Sequence, residues 1–273
     1  MDDRVRTFRQ LHASGCFVMP NPWDPGSARV FAHLGFPALA TTSSGFAWSR
    51  GQPDNHVPLD DMLAHIRAMA AAVPVPINAD FEGGFATDPA GVAANVRTAC
   101  ATGVSGLSIE DSTGDEAHPL VEFQLAVERV RAARRAIDES GSGVVFTARS
   151  EGFIVGRPDL AETIRRLTAF ADAGADCLYA PGLRAMSDIT AVVRAVAPRP
   201  VNVLVGSDFT TVAELAAAGV RRISVGGALA RTAWAATIAA AREMQRDGTF
   251  TRLAVAVASD DMNRLFAGPR DVV

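Results

Sequence analysis

The stretch 75-VPINADFEGGFATDPAGVAANVRTACATGVSGLSIED-111 contains an apolar strand, an amphipathic helix and a second apolar strand. The two strands, 75–80 and 105–111, are nearly continuous in apolar residues, which is typical of parallel strands buried on both faces. The helix, 89–101, is followed by Gly103, and glycine suits the left-handed turn that commonly ends a helix. This unit therefore predicts a parallel sheet.

The same strand–helix unit recurs along the whole chain. The predicted strands are 16–20, 37–42, 75–80, 105–111, 143–149, 176–181, 200–205 and 222–227, and the helices that follow them are 26–34, 59–72, 89–101, 120–139, 160–173, 186–197, 212–218 and 228–247. Eight units without a Pro/Gly linker predict an α/β fold, a single (β/α)8 TIM barrel over 1–273; a doubly wound open sheet is the alternative. A further helix, 250–267, is expected to pack on a neighbouring subunit or to cap the barrel.

Composition narrows the classes of function. Of the 273 residues, 48% are hydrophobic and 21% are charged, which argues for a large core and against disorder. The net charge of −4 argues against a nucleic-acid partner. No apolar run reaches the length of a membrane helix, and the N-terminus does not resemble a signal peptide. Cys16, Cys100 and Cys177 lack metal-ligand spacing and are expected to be reduced thiols. A cytoplasmic protein is predicted.

Charged residues stand where the middle strands end. Asp80 and Glu82 follow the third strand, Glu110 ends the fourth, and Arg149 ends the fifth. In a barrel the active site lies at the carboxyl ends of the strands. Residues two apart share a face if the strand persists that far. Carboxylates this close need protons or a cation, and oxygen ligands suit Mg²⁺. Arg149 would offer a permanent positive charge to an anionic substrate.

An alternative interpretation is that these acids are helix caps or solvent-exposed loop charges. Asp111 is expected to be a residue of that kind, because it points to the opposite face from Glu110. His118, in the loop after the fourth strand, is a candidate proton donor, although a lone loop histidine is more often only solvated.

The segments "NADFEGGF", "LSIEDS" and "TARS", preceded by "TTSSGFAWSRGQPDN", together resemble the isocitrate lyase/phosphoenolpyruvate mutase superfamily. "NPWDPGSARVF" (21–31) is similar to the first loop and helix of one subgroup. The resemblance covers essentially the whole chain. It implies a barrel whose last helix is exchanged between the subunits of a homodimer or homotetramer. It also implies a small 2-oxo acid substrate and Mg²⁺, with Mn²⁺ as an alternative metal.

The resemblance also implies roles for particular residues. An acidic set would hold the metal largely through water, with a catalytic aspartate reaching in from the loop after the second strand. The substrate carboxylate would lie in a cradle of backbone and hydroxyl groups, near the substrate-binding arginine. The residues are Asp80, Glu82 and Glu110 for the metal, Asp54 for the loop, Ser43, Ser44 and Gly45 for the cradle, Arg149 for the arginine, and Asn202 on the seventh strand. Independently of the resemblance, Trp23 lies in the loop after the first strand, where an aromatic residue either walls the pocket or packs the loops.

The loop 111–123, "DSTGDEAHPLVEF", departs from the superfamily. The lyases that cleave isocitrate-like acids carry a cysteine here, and the phosphonomutases carry a lysine with an Asn-Ser pair; this chain has neither. The resemblance then implies a Mg²⁺-dependent carbon–carbon lyase acting on a 2-oxo or 2-hydroxy diacid through a metal-stabilised enolate. Decarboxylation of oxaloacetate is the simplest version, because CO₂ leaves without a proton donor.

Three alternatives stay open. One is the P–C bond chemistry of phosphoenolpyruvate mutase and phosphonopyruvate hydrolase. The second is a non-catalytic member of the family that binds an oxo acid. The third is a barrel enzyme with a phosphorylated substrate at the glycine-containing ends of the last two strands, 205–208 and 223–231.

Overall fold

Eight parallel strands form one sheet in the order β1-β8-β7-β6-β5-β4-β3-β2. The structure is a computed structural model that describes residues 2–267, so residues 1 and 268–273 of the predicted domain lie outside the described residues. The Ala40 N–H donates to the Pro20 carbonyl at 3.1 Å and brings the two ends of the sheet together. The strands are β1 Phe17–Met19, β2 Leu39–Ala40, β3 Ile77–Asp80, β4 Gly106–Glu110, β5 Val145–Arg149, β6 Cys177–Tyr179, β7 Val201–Leu204 and β8 Arg222–Ser224. The predicted (β/α)8 barrel is confirmed.

Helices pack around the sheet, most of them on its outer face. They are α1 Asp3–Ala13, α2 Pro25–His33, α3 Ser43–Ser49, α4 Leu59–Ala72, α5 Pro89–Cys100, α6 Phe123–Ser140, α7 Leu160–Asp172, α8 Met186–Ala195, α9 Val212–Ala217 and α10 Ala228–Asp247. Helix α1 lies at the amino end of the barrel, and α3 lies beside the carboxyl ends of the strands. The short helix α3 lies in a segment that the sequence analysis treated as a loop. None of the helices that the structure describes has the length and apolarity needed to cross a membrane.

The amino end of the barrel is filled by α1, which precedes the eight strand–helix units. Phe8 of α1 is fully buried and packs in one cluster with Phe17 and Met19 of β1 and Val145 of β5. A side chain at Gly106 would collide with it, since a Cβ there would lie 2.5 Å from the Phe8 ring. This packing fills much of the amino end of the barrel, and the cavity described below lies at the carboxyl end.

The segment 250–267 is not the single helix that its sequence predicts. A 3-10 helix, Thr251–Val255, is followed by an extended break and then by α11, Ser259–Ala267. The β-branched Val255 and Val257 disfavour a helix across the break, while Asp260 and Asp261 in the first turn favour a new start.

The final helix α11 packs on α2 of its own chain. Arg29 donates to the Phe266 carbonyl at 2.8 Å and lies over the Phe266 ring. The exposed apolar surface lies instead on α10 and on the segment after it, where Trp234 and Ile238 are 43% and 44% exposed and Val255 is 88% exposed. This surface is where a second subunit would find apolar contacts.

Candidate active site

A cavity of about 490 Å³ opens at the carboxyl ends of the strands. Most of the predicted site residues line it, namely Asp54, Asp80, Glu110, Arg149, Ser43, Ser44 and Asn202. Glu151, which the sequence analysis did not single out, lines it as well. The other predicted residues, Trp23, Gly45, Glu82 and His118, lie outside the lining.

Arg149, at the end of β5, joins three carboxylates. Its Nη1 lies 2.7 Å from Asp80 Oδ1, its Nη2 lies 3.1 Å from Glu110 Oε2, and its Nε lies 2.9 Å from Glu151 Oε1. Although burial opposes the charged form, Glu151, Glu110 and Asp80 raise the pKa of the guanidinium above its ordinary value. Burial also raises the pKa of Glu151, and the Arg149 guanidinium opposes that rise. The side chain of Arg149 is therefore engaged with the protein's own acids.

Asp80 also fixes the loop after β2. Its Oδ2 accepts hydrogen bonds from both the backbone N–H and the hydroxyl of Ser43, each at 2.9 Å. The hydroxyl of Ser44 lies 3.0 Å from that of Thr42, which caps α3. The residues of the predicted cradle form the first turn of α3, where Asp80 accepts hydrogen bonds from both donors of Ser43.

Gly45 and Trp23 pack closely against each other at the first turn of α3. A Cβ at Gly45 would lie 2.9 Å from the Trp23 Cβ and 2.7 Å from the Thr42 Cγ2. Only glycine allows these segments to approach so closely. Of the two interpretations of Trp23, the structure supports loop packing.

Glu82 does not share a face with Asp80, because β3 ends at Asp80. Glu82 has φ +45° and lies in the following turn, so the period of two stops before it. Its side chain is buried with Oε1 unpaired among residues 2–267. Burial, and then Asp80 and Glu110, raise its pKa to about 8. The residues of β3 that do line the cavity together are Asn78 and Asp80.

Asp54 and Asp111 lie on different sides of the barrel wall. Asp54 lines the mouth of the cavity, which is the opening surrounded by Asp54, Asp80 and Glu110. Partial burial raises the pKa of Asp54, and the nearby charges of Asp80 and Glu110 raise it further. Asp111 points away from the cavity, as the sequence predicts, but it is not the helix cap or exposed loop charge that was expected: it is buried and pairs with Arg166 at 3.1 Å. Asp111 also accepts the backbone N–H of Glu151 at 2.8 Å, so it holds the turn that carries Glu151.

The loop between β4 and α6 folds into a short hairpin. Ser112 pairs with Leu120, and Thr113 N–H donates to the Pro119 carbonyl at 3.0 Å. The His118 side chain is 85% exposed and lies 3.5 Å from Asp115. Asp115 and Glu116 face the cavity from this loop. Its titratable groups on the cavity side are therefore acidic.

The oxygen donors of the mouth fit a hard divalent cation in their chemistry. Asp54, Asp80 and Glu110 bring excess negative charge, and carboxylate oxygens are the ligands that Mg²⁺ prefers. Across residues 2–267, no three His, Cys, Asp or Glu side chains are close enough to share an ion directly. Because Arg149 lies between Asp80 and Glu110, these donors suit an ion held largely through water.

The floor of the cavity is polar but not acidic. Asn202 on β7 donates to the Ser224 hydroxyl at 2.9 Å and accepts from the Arg222 Nε at 2.9 Å. Ser108 and Asn78 line the same region. Arg222 was not recognised in the sequence, since it stands in an Arg-Arg pair at the amino end of a strand, and such a pair resembles a charged surface.

The fold and the mouth together define a class: a barrel enzyme with an acidic, metal-compatible site for a small molecule. A family model described as phosphoenolpyruvate phosphomutase matches residues 8–245, and the chain belongs to that family. The superfamily predicted from the sequence motifs is therefore confirmed. Its members are carbon–carbon lyases or mutases, and this protein is an enzyme of the family.

Individual relatives agree with this placement. A Burkholderia cenocepacia J2315 structure, provisionally described as a lyase/mutase, is 49% identical with TM-score 0.95, and the match covers 98% of this chain and 96% of that one. An oxaloacetate decarboxylase of Rhodopseudomonas palustris (strain BisB5) is 27% identical over 92% of this chain and 88% of its own. A phosphonopyruvate hydrolase solved with oxalate and Mg²⁺ is 26% identical with TM-score 0.83, over 96% and 94% of the two chains.

Proposed function

We propose that this protein is a Mg²⁺-dependent carbon–carbon lyase that acts on a small 2-oxo or 2-hydroxy diacid, with decarboxylation of oxaloacetate as its simplest reaction. The observation that carries the proposal is the convergence of Asp54, Asp80 and Glu110 on one cavity beside the first turn of α3. The relatives that decarboxylate oxaloacetate, or that bind oxalate with Mg²⁺, support the same chemistry.

Asp80 and Glu110 would hold the metal, and Asp54 would lie beside it at the mouth of the cavity. Mn²⁺ is the alternative to Mg²⁺ as the bound metal. The metal supplies a Lewis acid that stabilises the enolate left after a carbon–carbon bond breaks. Arg149 holds Asp80 and Glu110 in place, because it pairs with both. Ser43 and Ser44 would bind the substrate carboxylate once the Ser43 donors leave Asp80.

The hairpin after β4 places Asp115 and Glu116 on the cavity side, while His118 faces solvent, so it brings neither a cysteine nor a histidine to the cavity as a proton donor. This favours decarboxylation over cleavages that must protonate the leaving carbon. Asp54 lines the cavity whereas the side chain of His118 is exposed outside it, so Asp54 is better placed than His118 to return a proton to the enolate.

The test is a panel of 2-oxo and 2-hydroxy acids assayed with Mg²⁺ and with EDTA. Mg²⁺-dependent release of pyruvate from oxaloacetate supports the proposal. Phosphate release from phosphonopyruvate would support P–C chemistry instead. Binding of an oxo acid without turnover would identify a non-catalytic member of the family.

Asp80→Ala is the decisive variant. We expect kcat/KM to fall by more than about 100-fold, since even the outer partners of metal ligands are worth about 10- to 100-fold. Asp60→Ala is the matched control, because Asp60 is an exposed aspartate in the first turn of α4. Unchanged turnover in Asp80→Ala, with circular dichroism showing the native fold, would remove Asp80 from the site.

We also propose a homodimer or homotetramer in the cytoplasm. The exposed apolar side chains of α10 and of the segment after it support a subunit contact, whereas α11 packs on its own chain. Sedimentation velocity of the wild type and of Trp234→Glu tests this, and we expect the variant to dissociate. A wild type that sediments as a monomer contradicts the proposal.

A further inference from the structure

Arg222 on β8 is a buried guanidinium whose observed partners are all neutral. It is 2% exposed. Its Nε donates to Asn202 Oδ1 at 2.9 Å, and its Nη2 donates to the Thr147 hydroxyl at 3.0 Å. Its Nη1 lies 3.2 Å from His12 Nε2. Within residues 2–267 it makes no ion pair, so its positive charge is not balanced by a contacting carboxylate.

His12 does not supply the missing negative charge. Its Nδ1 lies 2.7 Å from the Phe8 carbonyl and therefore carries the hydrogen, which leaves Nε2 to accept from Arg222. Burial, and then Arg222, lower the pKa of His12 to about 3, so the ring is neutral at ordinary pH. A buried charge with neutral partners alone is costly, and an anionic ligand would offset that cost.

Arg222 has N–H groups that the observed contacts do not use, and it lines the cavity. A guanidinium carries five N–H groups, and three contacts are observed, one at each nitrogen, so each Nη retains one N–H. Arg222 lines the cavity together with Ser108, Ser224 and Asn78. The amide oxygen of Asn78, which is 3% exposed, has no hydrogen-bond partner among residues 2–267. The floor is therefore polar and incompletely satisfied.

The floor lies directly below the acidic mouth. Thr147, which contacts Arg222, and Arg149 are two residues apart on β5 and point to the same face. This spacing places Arg222 about 6–7 Å deeper than the level of Arg149. That depth suits a short molecule that reaches from the mouth to the floor.

We infer that Arg222 binds one carboxylate of a small organic dicarboxylic acid and thereby selects diacids over monoacids. The other end of the diacid lies at the mouth among Asp80, Glu110 and the first turn of α3. This orientation rests on the proposed function, whereas the carboxylate contact with Arg222 does not. Arg149 is less suited to this role, because three carboxylates already surround it.

The test compares succinate with butyrate, which has the same chain length but one carboxylate, by titration calorimetry. We expect the wild type to bind succinate more tightly. Arg222→Met should weaken succinate binding about 10- to 100-fold, as expected for the loss of a charge-assisted hydrogen bond, and change butyrate binding less than about twofold. Arg221→Met is the matched control, because the Arg221 guanidinium contacts the Gly15 carbonyl outside the cavity.

Equal weakening for both acids, or a wild type that does not prefer succinate, would overturn the inference. If Arg222→Met does not fold, a crystal structure of the wild type with succinate decides: a carboxylate on Arg222 supports the inference, and chloride or water there overturns it. Turnover takes no part in this test. A protein that binds succinate through Arg222 but does not cleave oxaloacetate would refute only the proposed reaction.

Discussion

Two arginines line the cavity within residues 2–267, and their surroundings are opposite. Arg149, at the mouth, contacts Asp80, Glu110 and Glu151. Arg222, at the floor, contacts a hydroxyl, an amide and a neutral imidazole. The mouth has more negative charge than its arginine balances, and the floor has a positive charge without a counter-ion. The cavity is thus polarised along the barrel axis, with acidic groups around its mouth and an unpaired guanidinium at its floor among residues 2–267.

The difference shows that an arginine at a strand end does not by itself identify an anion site. What matters is how many carboxylates the protein places around the guanidinium. In this structure the guanidinium of Arg149 contacts three carboxylates, whereas that of Arg222 contacts none among residues 2–267. The following predictions test this contrast.

The largest expected effect is that of Arg149→Met on stability. Removal of this cation leaves Asp80, Glu110 and Glu151 facing one another, and breaking a buried ion pair costs about 3–5 kcal/mol. Urea unfolding in EDTA measures the change. The control is Arg97→Met, whose exposed pair with Glu139 should contribute less than about 1 kcal/mol. If Arg222→Met proves as destabilising as Arg149→Met, the contrast between the two arginines fails.

A smaller effect is expected from Glu82→Gln on the pH dependence of stability. Because the folded pKa of Glu82 is about 8 against an ordinary 4.5, the folded protein retains a proton that the unfolded chain releases. The wild type should therefore lose stability between about pH 4.5 and pH 8, and Glu82→Gln should be more stable at pH 8 by on the order of 1–3 kcal/mol.

Urea unfolding at both pH values in EDTA checks the Glu82 prediction. The two proteins should differ in stability by less than about 0.5 kcal/mol at pH 4.5, where the folded wild type is protonated at this position and the unfolded chain is about half protonated. A difference that does not vary with pH would show that Glu82 is ionised in the folded protein. Repeating the unfolding series with Mg²⁺ tests whether Glu82 helps to bind the metal. Bound metal would favour the ionised form of Glu82 and so reduce the difference in stability between the wild type and Glu82→Gln at pH 8.

The smallest effect is expected from His118→Ala. Its side chain is 85% exposed and lies outside the cavity, so kcat/KM should change by less than about twofold, as for a surface substitution. Steady-state assays on oxaloacetate measure this. A loss of tenfold or more would mean that the hairpin closes over the mouth during turnover and that the mouth described above is only part of the site.

The sequence was sufficient to predict the eight strands and the acids at their ends. Apolar runs bounded by glycine reveal buried strands, and Asp80, Glu110 and Arg149 end three of them. The predicted strand 75–80 ends where β3 ends, at Asp80, but the sequence left open whether the alternation continues to Glu82. It does not, because Glu82 lies in the following turn, and where a strand ends depends on hydrogen bonds with its neighbours.

The C-terminal region shows the same limit. Residues 250–267 have helical composition, yet they form a 3-10 turn and a separate helix. The apolar surface that remains open lies on α10, which the sequence analysis treated as an ordinary barrel helix. Which helix is left uncovered depends on how the whole barrel packs.

The sequence by itself determined the repeating unit, the order of the strands and the acidic character of the mouth, because these follow from local periodicity and from residues at strand ends. Only the tertiary structure decided which charges meet. Glu151 reaches Arg149, Asp111 turns outward to Arg166, and Arg222 points inward to a neutral floor. The reason is that a buried charge takes its properties from neighbours on other strands, and those neighbours are brought together only when the barrel closes.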